Sequence, residues 1–584
     1  MFKLLRNLTK KELFLAIISF LLIFLQVFLE LKMPDYMSTI TVLVQTKGSK
    51  IGEIFKNGGY MLLCAFGSVL STVIVGYIVA LITSTFSLKV RKKVFDKVES
   101  LSLHEIKTFS TSSLITRTTN DITQMEMALG MGMQMLIKSP LTAIWAITKI
   151  VNKNFEWSVI TASAVVILLL VIGILTALVV PKFKIVQKLT DKLNNVTREN
   201  LTGIRVVRAF NAEKYQENKF NDVNTNLTKQ QLYNQKKFAL MQPTMYLVMH
   251  SLTLSIYLVG AFLIKDAILP DKVTLFGDMV VFSSYAMQVV ISFLMLAAIF
   301  MMLPRAEVSA KRINEVLETE NSIKEGSKKD GKESGTVEFK NVSFKYPDAE
   351  EYLLENISFK ANKGEVVAFI GSTGSGKSTL INLVPRFYDA TDGEVLVDGI
   401  NVKDYKLEYL YSKIGYVSQK AVLFNETVKN NIAFGKTQNK ITNDIINKSL
   451  EVAQAKEFVE KMDKGINSHI SQSGTNISGG QKQRLAIARA IAKSPEIYIF
   501  DDSFSALDYK TDSTLRKELK KYTKDATSLI VAQRIGTIMH ADKIIVLDEG
   551  KCVGIGTHKE LLKNCEVYKQ IALSQLSKEE LENE

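Results

Sequence analysis

The chain has 584 residues, too many for a single hydrophobic core, so several domains are expected. Its 73 lysines and arginines outnumber its 59 aspartates and glutamates, which gives a formal charge of +14. Because nearly all long uncharged runs lie before residue 305, the basic residues are interpreted as flanks of membrane spans and not as a nucleic-acid surface. Cys64, Cys552 and Cys565 have no metal-ligand spacing and predict no disulfide framework.

Six membrane spans are predicted before residue 305, since a spanning helix needs roughly 20 mostly apolar residues. The basic start, MFKLLRNLTKKE, is also compatible with a signal peptide, but no A-x-A-like cleavage site follows it. A retained first helix with a cytoplasmic start is therefore expected. The third span is the least regular, because Lys138 and Lys149 interrupt it. The predicted spans are approximately 13–32, 58–82, 132–151, 157–180, 241–264 and 279–303.

The distribution of basic residues favours six spans over five. With six, the basic segments that follow the second, fourth and sixth spans all lie on the side of the basic N-terminus, which the positive-inside rule assigns to the cytoplasm. These segments contain KVRKKVFDK, then Lys182, Lys184, Lys188 and Lys192, then Arg305, Lys311 and Arg312. The two long cytoplasmic connections have helical patterns, so the membrane helices are expected to continue into the cytosol. Two independent soluble hairpins are the alternative.

The second half of the chain has a soluble α/β pattern. Residues 318–336 are charged, contain Gly and Ser, and have few large apolar residues, which predicts a linker. TVEFKNVSFKY then alternates like a strand, and VVAFI and IYIF are typical of buried strands followed by helices. The predicted division is therefore a transmembrane domain at 1–317, a linker at 318–336 and an α/β domain at 337–584.

A phosphate-binding loop is predicted at GSTGSGKS, which follows the strand VVAFI and opens a helix. Its glycines let backbone N–H groups surround phosphates, and the helix N-terminus adds positive potential. Lys377 is expected to reach the β- and γ-phosphate oxygens, and Ser378 and Asp501 to bind Mg²⁺. The predicted ATP-binding residues here are Gly371, Ser372, Thr373, Gly374, Ser375, Gly376, Lys377, Ser378 and Thr379.

A second anion-binding helix terminus is predicted at NISGGQKQRLAIARA. Ser478 stands at the N-cap position, and Gly479 and Gly480 permit close approach of the backbone. This terminus cannot serve the phosphates held by Lys377, whose own loop already surrounds them. A second phosphate-binding surface is explained if it completes a site in another subunit.

SGGQ, between the phosphate loop and the carboxylate strand IYIF, is similar to the motif of ATP-binding cassette (ABC) proteins. Six spans followed by one cassette resemble an ABC exporter half-transporter over nearly the whole chain. The implied fold is an all-α membrane domain with six long transmembrane helices, of the type I exporter kind, followed by an α/β P-loop ATPase domain. FSTSSLITRTTNDI and GIRVVRAFNAEKYQ resemble the two intracellular loops of that family, which implies coupling helices near Ser112 and Phe210.

The resemblance also implies roles for single residues. Tyr346 would stack on adenine, Gln419 would lie between Mg²⁺ and the membrane domain, and Asp508 would cross a dimer interface. ATP and Mg²⁺ are the implied cofactors. The metal ligands would be Ser378, Gln419 and Asp501, and the residues facing the ATP of a partner would be Ser478, Gly479, Gly480 and Gln481.

Two catalytic positions depart from the family's pattern. Asp502 stands where the family usually has Glu, and its carboxylate is one methylene shorter. Gln533 stands where the family usually has His, and it cannot carry a proton or a positive charge. General-base assistance is worth roughly 10²–10⁴-fold in rate. The hypothesis is a site that binds ATP and hydrolyses it slowly, and the alternative is that Asp and Gln suffice.

The nearly intact ISGGQ predicts pairing with a second, non-identical half-transporter that supplies Glu and His, as in heterodimeric bacterial multidrug exporters, which the chain resembles. The expected function is ATP-driven export of small amphipathic or hydrophobic molecules across the cytoplasmic membrane of a bacterium. The N-terminus and the ATPase domain would be cytoplasmic. The expected partners are that half-transporter, the lipid membrane and a small-molecule substrate, without nucleic acid. The alternatives are a homodimeric lipid or drug exporter and an ATP-gated regulatory or channel-like protein.

Overall fold

The computed structural model describes residues 2–46, 48–151, 155–331, 333–435 and 440–576. The chain forms two compact units. The helical unit contains Met1–Glu99 and Thr111–Thr319, and the sheet unit contains Ser100–Ser110 and Glu320–Glu584. The end of the predicted ATPase domain, 577–584, lies outside the described residues.

The helical unit is built almost entirely from long helices. The first ten described helices of the chain, α1 to α10, are Phe2–Leu5, Lys10–Gln45, Ile51–Ser100, Leu103–Thr108, Thr111–Thr118, Asn120–Val151, Phe155–Thr202, Ile204–Ala209, Glu213–Asp266 and Leu269–Glu318. Helix α4 belongs to the sheet unit, and the others belong to the helical unit except for the last residue of α3. The short helix α5 contains Ser112, and α8 ends immediately before Phe210.

In the part of the chain that the structure describes, five helices are long and apolar enough to cross a membrane by length and composition: α2, α3, α7, α9 and α10. Within the described residues α6, which contains the predicted third span 132–151, is not among them, so this third span and the total of six stay predictions. Helix α2 also continues to Gln45, well beyond the predicted end of the first span at residue 32.

The two lysines that interrupt the predicted third span are both paired with carboxylates of α2. Lys138 Nζ lies 2.9 Å from Glu30 Oε1, and Lys149 Nζ lies 2.8 Å from Asp35 Oδ2. Such pairing reduces the free energy needed to place a charge among apolar helices. Because the partners occur in the same order along both helices, α2 and α6 run in the same direction. That direction is the one expected for the first and third spans of an alternating series.

The sheet unit contains a ten-stranded mixed sheet. Its strands, β1 to β10, are Val337–Phe344, Leu354–Ala361, Val366–Gly371, Asp392–Val397, Ile400–Asn401, Ile414–Val417, Ile497–Asp501, Thr527–Val531, Lys543–Asp548 and Lys551–Gly556. The helices that follow α10, α11 to α20, are Lys377–Asn382, Leu407–Lys413, Val428–Ile432, Asn443–Val452, Lys456–Glu460, Gly479–Lys493, Tyr509–Tyr522, Ile535–Ile538, His558–Asn564 and Glu566–Leu573. The strand order is β5-β4-β1-β2-β10-β9-β3-β8-β7-β6.

The segment with linker composition lies against the sheet unit. The N–H of Gly326 donates to the carbonyl of Tyr405 at 3.0 Å, and the N–H of Lys328 donates to that of Asp404 at 2.9 Å. The N–H of Lys406 donates back to the carbonyl of Lys328 at 2.8 Å. The charged, glycine-containing composition of this segment therefore does not by itself make it a free spacer.

Candidate ATP-binding site

Four neighbouring strands bring the predicted site residues to one edge of the sheet. Strands β3, β8, β7 and β6 are adjacent and parallel, so their carboxyl ends lie at the same edge, where open α/β sheets bind ligands. The phosphate loop follows β3, Gln533 follows β8, Asp501 ends β7 just before Asp502, and Gln419 follows β6. Residues from distant parts of the sequence are thereby gathered at one place.

The glycines of the loop between β3 and α11 have conformational reasons to be glycine. Gly374 and Gly376 have φ angles of +88° and +89°, in the region that disfavours a side chain. A Cβ atom at Gly371 would lie 1.9 Å from the carbonyl oxygen of Leu547. The loop can therefore turn tightly and present its backbone N–H groups, as the motif predicts.

Lys377 directs its ammonium group into this loop. Its Nζ atom lies 3.0 Å from the carbonyl oxygen of Gly371, 2.6 Å from that of Ser372 and 3.2 Å from Ser375 Oγ. Burial lowers the pKa of Lys377, while the negative charges of Asp502 and Asp501 oppose this effect. A buried cation within a ring of backbone groups is suited to a phosphate.

Ser378 and Asp501 bring a hydroxyl and a carboxylate together at the start of α11. The Ser378 hydroxyl donates to Asp501 Oδ1 at 2.6 Å. Burial raises the pKa of Asp501, and the hydrogen bond from Ser378 opposes the rise. Both oxygens are ligands that Mg²⁺ prefers, so this pair fits the metal. The described residues contain no cluster of three or more His, Cys, Asp or Glu residues that would suit another type of metal site.

Asp502 is held in an unusual conformation and faces two amide side chains. Its φ angle is +46°, and its N–H donates to the carbonyl of Val531 at 3.0 Å. Its Oδ2 atom accepts hydrogen bonds from Gln533 Nε2 at 2.9 Å and from Gln419 Nε2 at 3.3 Å. Burial raises the pKa of Asp502, and the bond from Gln419 opposes the rise. The sequence placed all three residues at the site but gave no sign of these contacts.

Tyr346, the predicted adenine contact, lies beside the loop helix. Its hydroxyl is 3.0 Å from Thr379 Oγ1, and its ring lies beside a cavity of about 260 Å³. The ammonium of Lys107, on α4, lies 5.6 Å from the centre of the Tyr346 ring and 5.5 Å from that of Tyr388, within cation–π range. Lys107 is a residue near this site that the sequence interpretation missed, since no pattern connects it with Tyr346. A larger cavity of about 450 Å³, between α17 and α18, contains none of the predicted site residues.

The predicted second anion-binding terminus begins α16 with a reciprocal pair of hydrogen bonds. Ser478 Oγ accepts from the N–H of Gln481 at 3.3 Å, and Gln481 Oε1 accepts from the N–H of Ser478 at 2.9 Å. Ser478 and Gly479 are exposed. Asp508 caps α17 by accepting from the N–H of Thr511 at 2.9 Å and is also exposed. These groups are accessible to a molecule outside the chain.

Comparison with known families covers both halves of the chain. Residues 16–293 match the ABC transporter transmembrane region, and residues 354–505 match the family described as ABC transporter. An uncharacterised ABC transporter ATP-binding protein of Mycobacterium tuberculosis is 36% identical over 88% of this chain and 87% of its own length. The uncharacterised ABC transporter ATP-binding protein YfiB of Bacillus subtilis is 35% identical over 85% of each chain. The ATP-dependent lipid A-core flippase of Pseudomonas aeruginosa is 33% identical over 81% of this chain and 77% of its own length.

A solved structure is similar along almost the whole chain. It is a bacterial Atm1-family ABC exporter with ATP bound, and the TM-score is 0.81 over 98% of this chain and 100% of the other. At 22% identity this similarity shows the fold alone. The predicted fold class is therefore confirmed: a helical membrane domain of the type I exporter kind precedes an α/β ABC ATPase domain.

Proposed function

The chain belongs to the ABC transporter family as an exporter half-transporter, and we propose that it serves as the slow-site half of a heterodimeric exporter of small amphipathic or hydrophobic molecules. ATP-driven export by a multi-pass membrane protein with bacterial relatives is the activity common to this family. The partner, the kind of substrate, the cytoplasmic position of the ATPase domain and the slow hydrolysis make up the proposal.

The residues at the edge of β3, β8, β7 and β6 have separate roles in the proposal. Lys377 and the loop N–H groups hold the phosphates, and Tyr346 stacks on the adenine. Ser378, Asp501 and Gln419 would hold Mg²⁺, which would supply positive charge to the phosphate oxygens. The short hydrogen bond between Ser378 and Asp501 supports this assignment because it places two of the three ligands side by side.

The arrangement around Asp502 is the observation that carries the slow-site proposal. A general base must lie within hydrogen-bond reach of the attacking water. The Asp502 carboxylate is short, and its Oδ2 atom already accepts hydrogen bonds from two neutral amides. Gln533 also lacks the positive charge that a protonated His would bring to the γ-phosphate. Losing general-base help costs about 3–5 kcal/mol of barrier.

The N-terminus of α16 supports the heterodimer. Its capping box is complete and Ser478 is exposed, so it is ready to bind the phosphates of an ATP held by another subunit. A partner with Glu and His would then hydrolyse ATP against this intact surface. This chain would contribute one functional half to that site while its own site stays slow.

The first test is purification of the tagged chain from its native membrane in mild detergent, followed by mass spectrometry. We expect a second ABC half-transporter in a 1:1 ratio. A homodimer with rapid ATP hydrolysis would refute the slow-site proposal, because both of its sites would then use Asp502 and Gln533.

A second candidate function is transfer of an amphipathic lipid by a homodimer. Its support is the similarity to relatives named ATP-dependent lipid A-core flippases. Reconstitution into vesicles separates the candidates. ATP-dependent movement of a fluorescent phospholipid by this chain alone would favour the lipid transporter, and uptake of a cationic dye only with the partner present would favour the heterodimer.

A further inference from the structure

The loop that carries Gln533 is bound by a residue 42 positions further along the chain. Gln575 follows α20, and its side-chain amide brackets the loop between β8 and α18. Gln575 Nε2 donates to the carbonyl of Gln533 at 2.8 Å, and Gln575 Oε1 accepts from the N–H of Ile535 at 2.8 Å. One amide thus satisfies two backbone groups on either side of Arg534.

Gln533 is consequently held by hydrogen bonds from both its side chain and its backbone. Its side chain donates to Asp502, and its backbone carbonyl accepts from Gln575. The N–H of Ala532, one residue earlier, donates to the carbonyl of Phe369 on β3 at 3.2 Å. The side-chain direction of Gln533 depends on this backbone, so the bond to Asp502 depends on the contact with Gln575.

Gln575 can fix the loop because the helix before it is itself firmly anchored. Tyr568 and Ala572, on α20, are completely buried. The Tyr568 hydroxyl lies 2.7 Å from Nδ1 of the buried His558. After the helix, Leu576 packs against the core that lies beneath β8. The exposed Gln575 therefore stands between two anchored residues.

We propose that Gln575 is a positioning residue that keeps the Gln533 amide on the Asp502 carboxylate and thereby slows the release of ATP from this chain's own loop. The inference rests on the proposed role of Gln533 in that site. Its consequence is that Gln575, just after α20, takes part in nucleotide retention by holding the loop of Gln533.

The test measures release of a fluorescent ATP analogue from the complete transporter. The P-loop lysine of any second half-transporter is replaced by methionine, so that only this chain's loop binds the analogue. We expect Gln575→Ala to release it about threefold to tenfold faster, because one net hydrogen bond changes an equilibrium by roughly fivefold. Gln570→Ala is the matched control, since Gln570 is an exposed glutamine on α20 itself. An unchanged release rate in Gln575→Ala would overturn the proposal.

A double-mutant cycle distinguishes positioning from a general loosening of the fold. If Gln575 acts through Gln533, then Gln575→Ala does not speed the release of the analogue any further in the Gln533→Ala background. The thermal unfolding temperature of the Gln575→Ala variant is then expected to equal that of the unmodified transporter. Equal effects in both backgrounds would overturn the proposal. Rapid hydrolysis at this site would refute the slow-site function, but the cycle would still report whether the two glutamines are coupled.

Gln575→Glu separates the two hydrogen bonds. It keeps an acceptor for the Ile535 N–H but places a carboxylate oxygen against the Gln533 carbonyl. We expect release at least as fast as in Gln575→Ala, because the Gln533 carbonyl loses its donor. Release at the wild-type rate would overturn the proposal.

Discussion

The sheet unit has two faces that are expected to meet ATP, and they differ in how closely they keep the pattern of the family. The face at the ends of β7 and β8 carries Asp502 and Gln533, both of which depart from that pattern. The face at the start of α16 keeps Ser478 with a complete capping box. One face has Asp and Gln at the two positions that are proposed to act on the attacking water, while the other has a well-formed helix N-terminus.

Under the proposed slow-site function, this difference separates ATP binding from ATP hydrolysis within one domain. The phosphate loop, Lys377 and the pair formed by Ser378 and Asp501 retain what is needed to hold ATP with Mg²⁺. The departures affect only the positions that would activate water and contact the γ-phosphate. Under the same proposal, the chain would use its own ATP to hold two subunits together and would offer α16 to the site that hydrolyses ATP.

The largest effect is expected from Ser478→Asp in the purified heterodimer. Aspartate keeps the N-cap hydrogen bond, but repulsion between unit charges about 4 Å apart near a protein surface is roughly 4 kcal/mol. We expect ATP hydrolysis to fall by about 10²-fold or more. Thr557→Asp, which changes the capping box of α19 in the same way, is the control and should leave hydrolysis unchanged. Equal ATP hydrolysis by the two variants would show that the start of α16 does not contribute to the site that hydrolyses ATP.

The next effect is a gain at the weak face. In a heterodimer whose partner has its catalytic Glu replaced by Gln, the remaining hydrolysis reports the site of this chain. Replacing Asp502 by Glu together with Gln533 by His should raise this remaining rate of hydrolysis by about 10²-fold, because the longer carboxylate can reach the attacking water. Phosphate release under single-turnover conditions measures this rate. No gain in the double variant would show that other groups limit the site.

A smaller effect is expected from Asp502→Asn in the heterodimer with the unmodified partner. Under the proposed asymmetry, total ATP hydrolysis should change by less than about twofold, since Asp502 contributes little general-base help. The neighbouring change Asp501→Asn should instead weaken binding of ATP with Mg²⁺ to this chain, because it removes the carboxylate next to Ser378. Loss of most of the activity in Asp502→Asn would mean that Asp502 is a working base.

The smallest effect is a pH dependence of stability. Burial raises the pKa of Asp502 above its ordinary value of 3.8. A carboxyl group of this kind contributes stability that is complete below pH 3.8 and is lost as pH rises through its raised pKa. Asp502→Asn removes this loss, so without nucleotide and Mg²⁺ it should raise the unfolding temperature more at pH 7 than at pH 4. Calorimetry of the full chain at both pH values measures the difference, and an equal shift at both would contradict a raised pKa.

The sequence could predict the components of the candidate ATP-binding site because their signals are local. The phosphate loop lies between a strand and a helix within about a dozen residues of sequence, and its glycines have the tight geometry that the motif requires. The N-cap of α16 depends only on Ser478 and the residue three positions later. The sequence did not predict that Gln533 and Gln419 would donate to one oxygen atom of Asp502, because strand order decides which loops meet.

The sequence by itself determined the division into an apolar helical half and an α/β half, the fold class and the motifs that follow β3 and β7, because apolar periodicity, turn geometry and helix capping act over a few residues. Only the tertiary structure decided which distant polar groups become partners. Gln533 meets Asp502 from 31 positions away, Gln575 meets Gln533 from 42, and Lys138 meets Glu30 from 108. The physical reason is that a buried or partly buried polar group needs a partner, and the chain supplies that partner from whichever element packs beside it.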